Sequence, residues 1–230
     1  MVLDDLSTGV RENLPASVPF VQGDVADMML VENVVRQHRV RHGVHFAGSI
    51  VVPESVENPL AYYRNNTAAS RNLLVAVRSG VRNFIFSSTA AVYGEPKAVP
   101  VREDAPLEPA NPYGRSKLMT EWMLRDVAAA HVCALRHLTA GGDNLALNCG
   151  YGHGFSVREV LETVQRVAGR RLDIREAPRR PGDPARLVSD SGLIRRTFPW
   201  QPQYDDLEVI VRSALGWEKK LHTLEPVPGE

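Results

Sequence analysis

Phe84-Ile85-Phe86-Ser87-Ser88-Thr89-Ala90-Ala91-Val92-Tyr93-Gly94 decides the fold, read together with Asn111-Pro112-Tyr113-Gly114-Arg115-Ser116-Lys117 a little further on. A short apolar run bounded by hydroxyl residues has the length of a buried strand. Its polar cluster lies at the carboxyl end, where an open α/β sheet places its ligand contacts. Tyr113 and Lys117 are four residues apart, so on a helix they share one face. A lysine cation beside a phenol favours the phenolate and lowers its pKa. Tyr113 is therefore expected to move a proton near neutral pH, which an ordinary tyrosine with a pKa of about 10 does poorly.

The same alternation extends in both directions. Val2-Leu3 reads as a strand stub ending in Asp4-Asp5, and Val18 to Gln22 as a short strand ending at Gly23-Asp24. Met28 to Gln37 has amphipathic helical spacing, and Gly43 to Phe46 reads as a buried strand closing on Ala47-Gly48. A helix is expected from near Pro59 to Ser79, with Gly80 as its terminator, then a strand from Asn83 to Ser87. Strands alternating with helices predict an α/β fold, a doubly wound parallel sheet with helices on both faces. Beyond Tyr113 the apolar positions Leu118, Trp122, Met123, Val127, Ala130, Ala134, Leu135 and Leu138 extend the helix to about 25 residues, long for a globular protein. Strands are expected at Leu145 to Asn148 and Leu172 to Ile174. A helix begins at Ser156 with Glu159 as capping-box partner, and a final helix spans Asp206 to Leu221.

Composition excludes several classes. Lys plus Arg equals Asp plus Glu at 27 each, so no basic field invites nucleic acid or an anionic membrane. No apolar run reaches transmembrane length, and Met1 to Asp5 carries no charged leader. Cys133 and Cys149 make no disulfide framework, which favours a cytoplasmic setting. His38, His42 and His45 lack the carboxylate or cysteine partners of a zinc site, so no metal is expected.

Single motifs have ordinary explanations. Y-x-x-x-K arises in many helices as an exposed tyrosine beside a solvated lysine. Asp4 and Asp5 suit a loop start, Asn65 a polar helix position, and Arg180 one solvated charge among several. The joint pattern is more specific. Leu3 to Gly9, Gly23-Asp24, His45 to Gly48, Val52 to Val56, Tyr62 to Asn66, Leu147 to Val157 and Arg179 to Pro184 all fall in order around the tyrosine helix. With them, the chain resembles the extended short-chain dehydrogenase/reductase family, most closely its members of the UDP-glucose 4-epimerase (galactose epimerase) type, from residue 1 to about Leu221.

The resemblance implies an NAD(P)-binding Rossmann-like domain at 1–140, a smaller substrate-binding α/β region at 141–222 and a tail at 223–230. It implies an isomerase that interconverts UDP-glucose and UDP-galactose through a 4-keto intermediate and bound NAD. Tyr113 matches the acid and base, Lys117 the residue that tunes it and holds the nicotinamide ribose, and Thr89 the hydroxyl that bonds the reacting sugar. Cofactor contacts fall on Asp4, Asp5, Asp24, Val25, Phe46, Ala47, Gly48, Asn65 and Ser87. Arg180 and Asp183 match contacts to the UDP-sugar, a guanidinium fork suiting a diphosphate. A homodimer through the helices after Pro59 and Pro112 is also implied.

Two departures from the family pattern keep alternatives open. No G-x-x-G-x-x-G turn precedes Leu3, the first glycine being Gly9, so the unit that forms the central strand and the diphosphate site is expected to be missing. Trp122 to Asp126 also runs straight into Val127 to Val132, which reads as two family helices fused with the intervening substrate segment lost. A truncated non-catalytic remnant and a related NAD-dependent nucleotide-sugar epimerase or dehydratase are the alternatives. Ala90-Ala91 after Thr89 argue against a dehydratase, whose acidic pair would stand there. Loss of a central strand predicts low stability and an aggregation-prone edge.

Overall fold

The computed structural model describes residues 1–230 apart from 79, 126–136, 138, 144, 181, 200, 203–204 and 225–230. The continuation of the tyrosine helix through Val127, Ala130, Ala134, Leu135 and Leu138, together with Cys133 and the tail from 225, lies outside the described residues.

Four parallel strands form where the apolar runs predict them: β1 (Val2–Asp4), β2 (Phe20–Gln22), β3 (His42–His45) and β4 (Asn83–Phe86). β1 pairs with β2, Leu3 opposite Val21, and β3 pairs with β4, Val44 opposite Ile85. Among the described residues these are two separate two-stranded sheets, not one continuous sheet. In a doubly wound sheet of order 3-2-1-4-5-6, the two pairs fill the places either side of the first, central strand. No described strand fills that central place, so the sheet is split there.

Helices join the two halves. α1 (Met28–Gln37) starts on Asp27, whose carboxylate accepts the Leu30 amide at 3.0 Å, and crosses from β2 to β3. After the short α2 (Val52–Glu57), the helix expected from Pro59 is three pieces in one run. α3 (Pro59–Tyr62) passes through a π-helical turn at Tyr63–Ala68 into α4 (Ala69–Val77). α5 (Pro112–Arg125) carries the tyrosine and lysine. Val31 and Val35 of α1, Leu73, Ala76 and Val77 of α4, and Leu124 of α5 pack with Phe84 and Phe86 of β4. Leu3 of β1 joins the same core, so one apolar layer holds both sheets. The other face is covered unevenly. Ile85 is fully buried, whereas its neighbour Val44 is 45% exposed, so the expected helix layer on both faces is not realised at β3.

α6 (Val157–Ala168) has the capping box read from Ser156 and Glu159, and it ends on Gly169 at φ +67°. α7 (Gly192–Thr197) and α8 (Leu207–Leu224) follow, with Arg166 of α6 paired to Glu208 of α8 at 3.2 Å. Two expected strands are absent. Leu145 and Leu147 instead pack on Ile194 and Phe198, and Asn148 spends its side-chain amide on the Val101 carbonyl at 3.0 Å. Leu172 donates its amide to the Gln165 side chain, and Arg175 folds back on Asp173. Among the described residues neither run has a strand alongside to pair with. The C-terminal region is tied to the first part through the Val101–Ser189 bridge.

Gly94 closes the turn after β4 at φ +62°, and a Cβ there would meet the Glu108 carbonyl oxygen at 2.0 Å. Gly94→Ala is expected to lose about 3 kcal/mol, from the left-handed backbone and the clash together. Urea unfolding of the variant measures this.

Candidate active site

α5 begins on Asn111, whose side-chain oxygen accepts the Gly114 amide at 2.7 Å, with Pro112 at the first helical position. This start sets Tyr113 and Lys117 four residues apart on α5, with Lys117 reaching the end of β4. Lys117 is only 3% exposed. Its Nζ donates to the Ser87 carbonyl at 3.1 Å and stands 4.8 Å from the Phe86 ring centre. Burial without a carboxylate partner pushes Lys117 down from its usual 10.5 to about 8. One turn further on, Glu121 accepts a hydrogen bond from the Ser88 hydroxyl. Two α5 residues at successive turns, Lys117 and Glu121, thus meet the strand end.

Thr89 sits at the start of a 3₁₀ turn, Ala90–Tyr93, and its hydroxyl oxygen accepts the Ala91 amide at 3.2 Å. That bond uses a lone pair and leaves the hydroxyl proton available to a ligand.

Asn66 was not singled out by the sequence, and it is the hub of the site. It is 2% exposed and stands in the π-helical turn. Its side-chain oxygen accepts the Ser49 amide at 2.8 Å, and its amide donates to the Ser49 carbonyl at 2.9 Å and to the Ser116 hydroxyl at 3.0 Å. Ser116 in turn donates to the Tyr113 carbonyl at 2.7 Å. The Asn66 carbonyl takes the Ser70 hydroxyl, so Ser70 has no proton left for His45. His45 Nε2, 2.8 Å away, must then be the donor, which fixes its tautomer. Burial first, and the Lys117 charge second, push His45 down from 6.5 to about 4, so it is neutral beside that lysine.

The neighbouring loop follows the same hub. Gly48 has φ +148°, and a Cβ on it would stand 2.9 Å from the Asn66 side-chain oxygen. Asn65 is exposed and reaches Ser49 Oγ at 2.8 Å, while Phe46 is 65% exposed. Tyr62 packs edge-on to Tyr113 with ring centres 6.5 Å apart. Its hydroxyl joins Glu54 at 2.8 Å and the Val51 carbonyl at 2.7 Å, and burial with the Glu54 contact pushes it up to about 12.

The remaining candidates lie further out. Asp4 accepts the Leu6 amide at 2.7 Å at the end of β1, and Asp5 binds Ser7, which holds its carboxyl below the usual range. Asp24 accepts the Ala26 amide at 2.8 Å, beside Val25. Arg180 is paired with Asp183 at 2.9 Å rather than presented alone. Their loop is anchored to the start of α5 through Asn111, which donates to the Gly182 carbonyl at 2.9 Å. Glu121 could have been found by continuing the four-residue spacing from Lys117. His45 and Asn66 stood within the stretches His45 to Gly48 and Tyr62 to Asn66 without a role of their own, and Ser70 carried no signal.

With this geometry in view, comparison with known proteins is decisive. The family model described as the NAD dependent epimerase/dehydratase family matches residues 1–172. The chain belongs to that family. It is 43% identical to a UDP-glucose 4-epimerase of Azospirillum brasilense, over 96% of this chain and 85% of that relative. Their alignment runs over 296 positions against 230 residues here, so the relative carries inserted segments inside the matched span. The UDP-Glc/GlcNAc 4-epimerase of Campylobacter jejuni superposes with a TM-score of 0.81 at 36% identity, over 95% of this chain and 91% of that one. A Brucella ovis UDP-glucose 4-epimerase solved with NAD gives 0.84 at 29% identity, over 91% and 87%. These neighbours bear out the Rossmann-like reading. No helix of the described residues is long and apolar enough to cross a membrane.

Two titrations follow. The Lys117 ammonium should titrate near pH 8, well below exposed lysines, in NMR of ε-labelled lysine. A folded value below the unfolded one means that this group's stability contribution is full above about pH 10.5 and is lost as pH falls through about 8. For His45 the contribution is present above about 6.5 and lost as pH falls through about 4. Unfolding midpoints should therefore drop across pH 6.5 to 4, and His45→Gln should flatten that drop.

Proposed function

We propose that the chain carries the site of an NAD-dependent UDP-sugar 4-epimerase acting on UDP-glucose and UDP-galactose. The observation that carries this reading is the buried Lys117, held on the Ser87 carbonyl one helical turn from Tyr113, with Thr89 two residues beyond Ser87 in the chain. Tyr113 takes the proton from the sugar 4-hydroxyl and returns it, and the Thr89 hydroxyl orients that oxygen. Lys117 keeps a positive charge near the phenol and near the nicotinamide ribose. When bound, NAD supplies the two-electron acceptor that takes up and returns hydride at the sugar's C4.

The residues present suit the two ends of the cofactor. Lys117, Ser87, Asn65 and Phe46–Gly48 would hold the nicotinamide side, the tight Gly48 turn admitting close approach. Asp4, Asp5, Asp24 and Val25 would hold the adenosine side, where an acid on the ribose hydroxyls favours NAD over NADP. Arg180 would have to exchange its Asp183 partner for the substrate diphosphate. Residues 1–140 form the cofactor side and 141–222 the substrate side. Trp122 on α5 is 54% exposed and Leu60 on α3 is more so, which supports a homodimer through these helices. A cytoplasmic location is part of this proposal, supported by two cysteines that make no disulfide framework.

The split sheet favours one second reading, a folded chain that keeps this wall of the site and does not turn over by itself. Bound NAD and UDP-galactose conversion in purified protein separate the two. On the first reading both are found, and Tyr113→Phe lowers turnover at least about 100-fold while NAD is retained. Absence of both supports the second.

A further inference from the structure

The other end of the β3–β4 pair carries a cluster of cations that the site around Lys117 does not use. Arg41 stands just before β3, and its carbonyl takes the Arg82 amide at 2.8 Å just before β4. β3 has four residues, so this end lies roughly 13 Å along the strand from His45. Here the last turn of α1, the start of β3 and Gly80 border a cavity of about 400 Å³, with Arg36, Arg39 and Arg41 in its lining. That is the size of a small-molecule site. Glu32 is the one carboxylate in the lining. Arg36 is bonded to the Asn33 side-chain oxygen and Arg41 to the Gly80 carbonyl at 3.4 Å, both neutral acceptors. Among the described residues none of the three arginines pairs with a carboxylate, unlike Arg158, Arg166 and Arg212 on the later helices. The chain as a whole has no net charge, so the positive surplus is local.

Arg39 is the decisive residue. Its φ is +52°, a left-handed conformation that is strained for a residue with a Cβ. It follows His38, the C-cap of α1, and the next amide, that of Val40, returns to the Val35 carbonyl at 2.9 Å. This is the Schellman form of helix end, whose left-handed position is usually glycine. Glycine would make the turn without strain, yet an exposed arginine stands there. One cation in the last turn suits the helix dipole, and Arg36 already supplies it. Arg39 and Arg41 add charge beyond that need, against backbone strain and mutual repulsion. An anion between them would remove the repulsion. From this we infer that the cavity binds a small phosphate monoester, its dianionic phosphate held by the Arg36, Arg39 and Arg41 guanidiniums. The planar fork of an arginine bonds two phosphate oxygens at once. Three guanidiniums against the single Glu32 carboxylate leave two positive charges, the match of a dianion.

The test titrates the whole chain with phenyl phosphate, and separately with inorganic phosphate, at constant ionic strength. NMR follows the Val40, Arg41 and Gly80 amides. Saturable shifts at these amides are expected, with phenyl phosphate binding at least as tightly as the free ion. Arg39→Gly should weaken binding at least about tenfold and, by relieving the left-handed strain, raise the urea midpoint. Arg41→Gln should weaken binding by a similar factor. Arg180→Ala should leave the shifts unchanged, which separates this cavity from the proposed diphosphate contact. Shifts that do not saturate, or binding by Arg39→Gly equal to that of the parent, overturn the inference. So does a lower urea midpoint for Arg39→Gly, which would make Arg39 a structural residue. Saturable binding of a short oligonucleotide without saturable binding of phenyl phosphate also overturns it, in favour of a nucleic acid. None of these readouts uses NAD or turnover, so the result stands apart from that of the epimerase assay.

Discussion

A buried ammonium governs the architecture of the site. Taking a lysine cation out of water costs several kcal/mol. Here the offsets are one carbonyl, that of Ser87, and the face of the Phe86 ring. A hydrogen bond from a charged group contributes roughly 1.5–3 kcal/mol and a desolvated cation–ring contact about 2. They do not fully compensate, and the shortfall appears as a fall from 10.5 to about 8, or about 3 kcal/mol. A carboxylate in the same place would hold the proton firmly. Its absence lets burial bring the group down to about 8, while the carbonyl fixes where that charge stands.

The surroundings are consistent with that single constraint. His45 lies close enough that a second cation would be costly, and it is neutral. Its tautomer is set by Ser70, and Ser70 is set by the Asn66 carbonyl. The Asn66 carbonyl, in the π-helical turn, accepts the hydroxyls of Ser70 and Thr120. The Asn66 side chain then faces the Ser49 loop on one side and α5 on the other. Two helices and a loop are thus locked to one amide.

The strands and the pairing of Tyr113 with Lys117 were legible because they depend on local patterns. Phe84 to Phe86 is too short and apolar for anything but a buried strand, and a four-residue spacing on a helix has one geometric meaning. Ser156 capping α6 is local in the same way. Asn66 was not legible, since its role comes from a helical irregularity and from partners such as Ser116 that are distant in sequence. Leu145 to Asn148 shows the opposite error. An apolar run suits a strand only if another strand lies alongside, and here Ile194 and Phe198 of the α7 segment took that place.

The split sheet divides the proposed site along a physical boundary. Everything around Lys117 depends on β3, β4, α4 and α5, which share side-chain bonds and one apolar core. Asp4 and Asp24 depend on β1, β2 and the loops at their ends. The two groups communicate through packing on α1 and through the bond from Asn72 of α4 to the Ala26 carbonyl at 3.3 Å. Among the described residues no ladder of backbone hydrogen bonds fixes their spacing. A dinucleotide spans both groups, so its affinity depends on a distance that only side-chain packing holds. A strand in the central place would replace that packing with hydrogen bonds on two sides, and the separation of the two halves would then follow from sheet geometry.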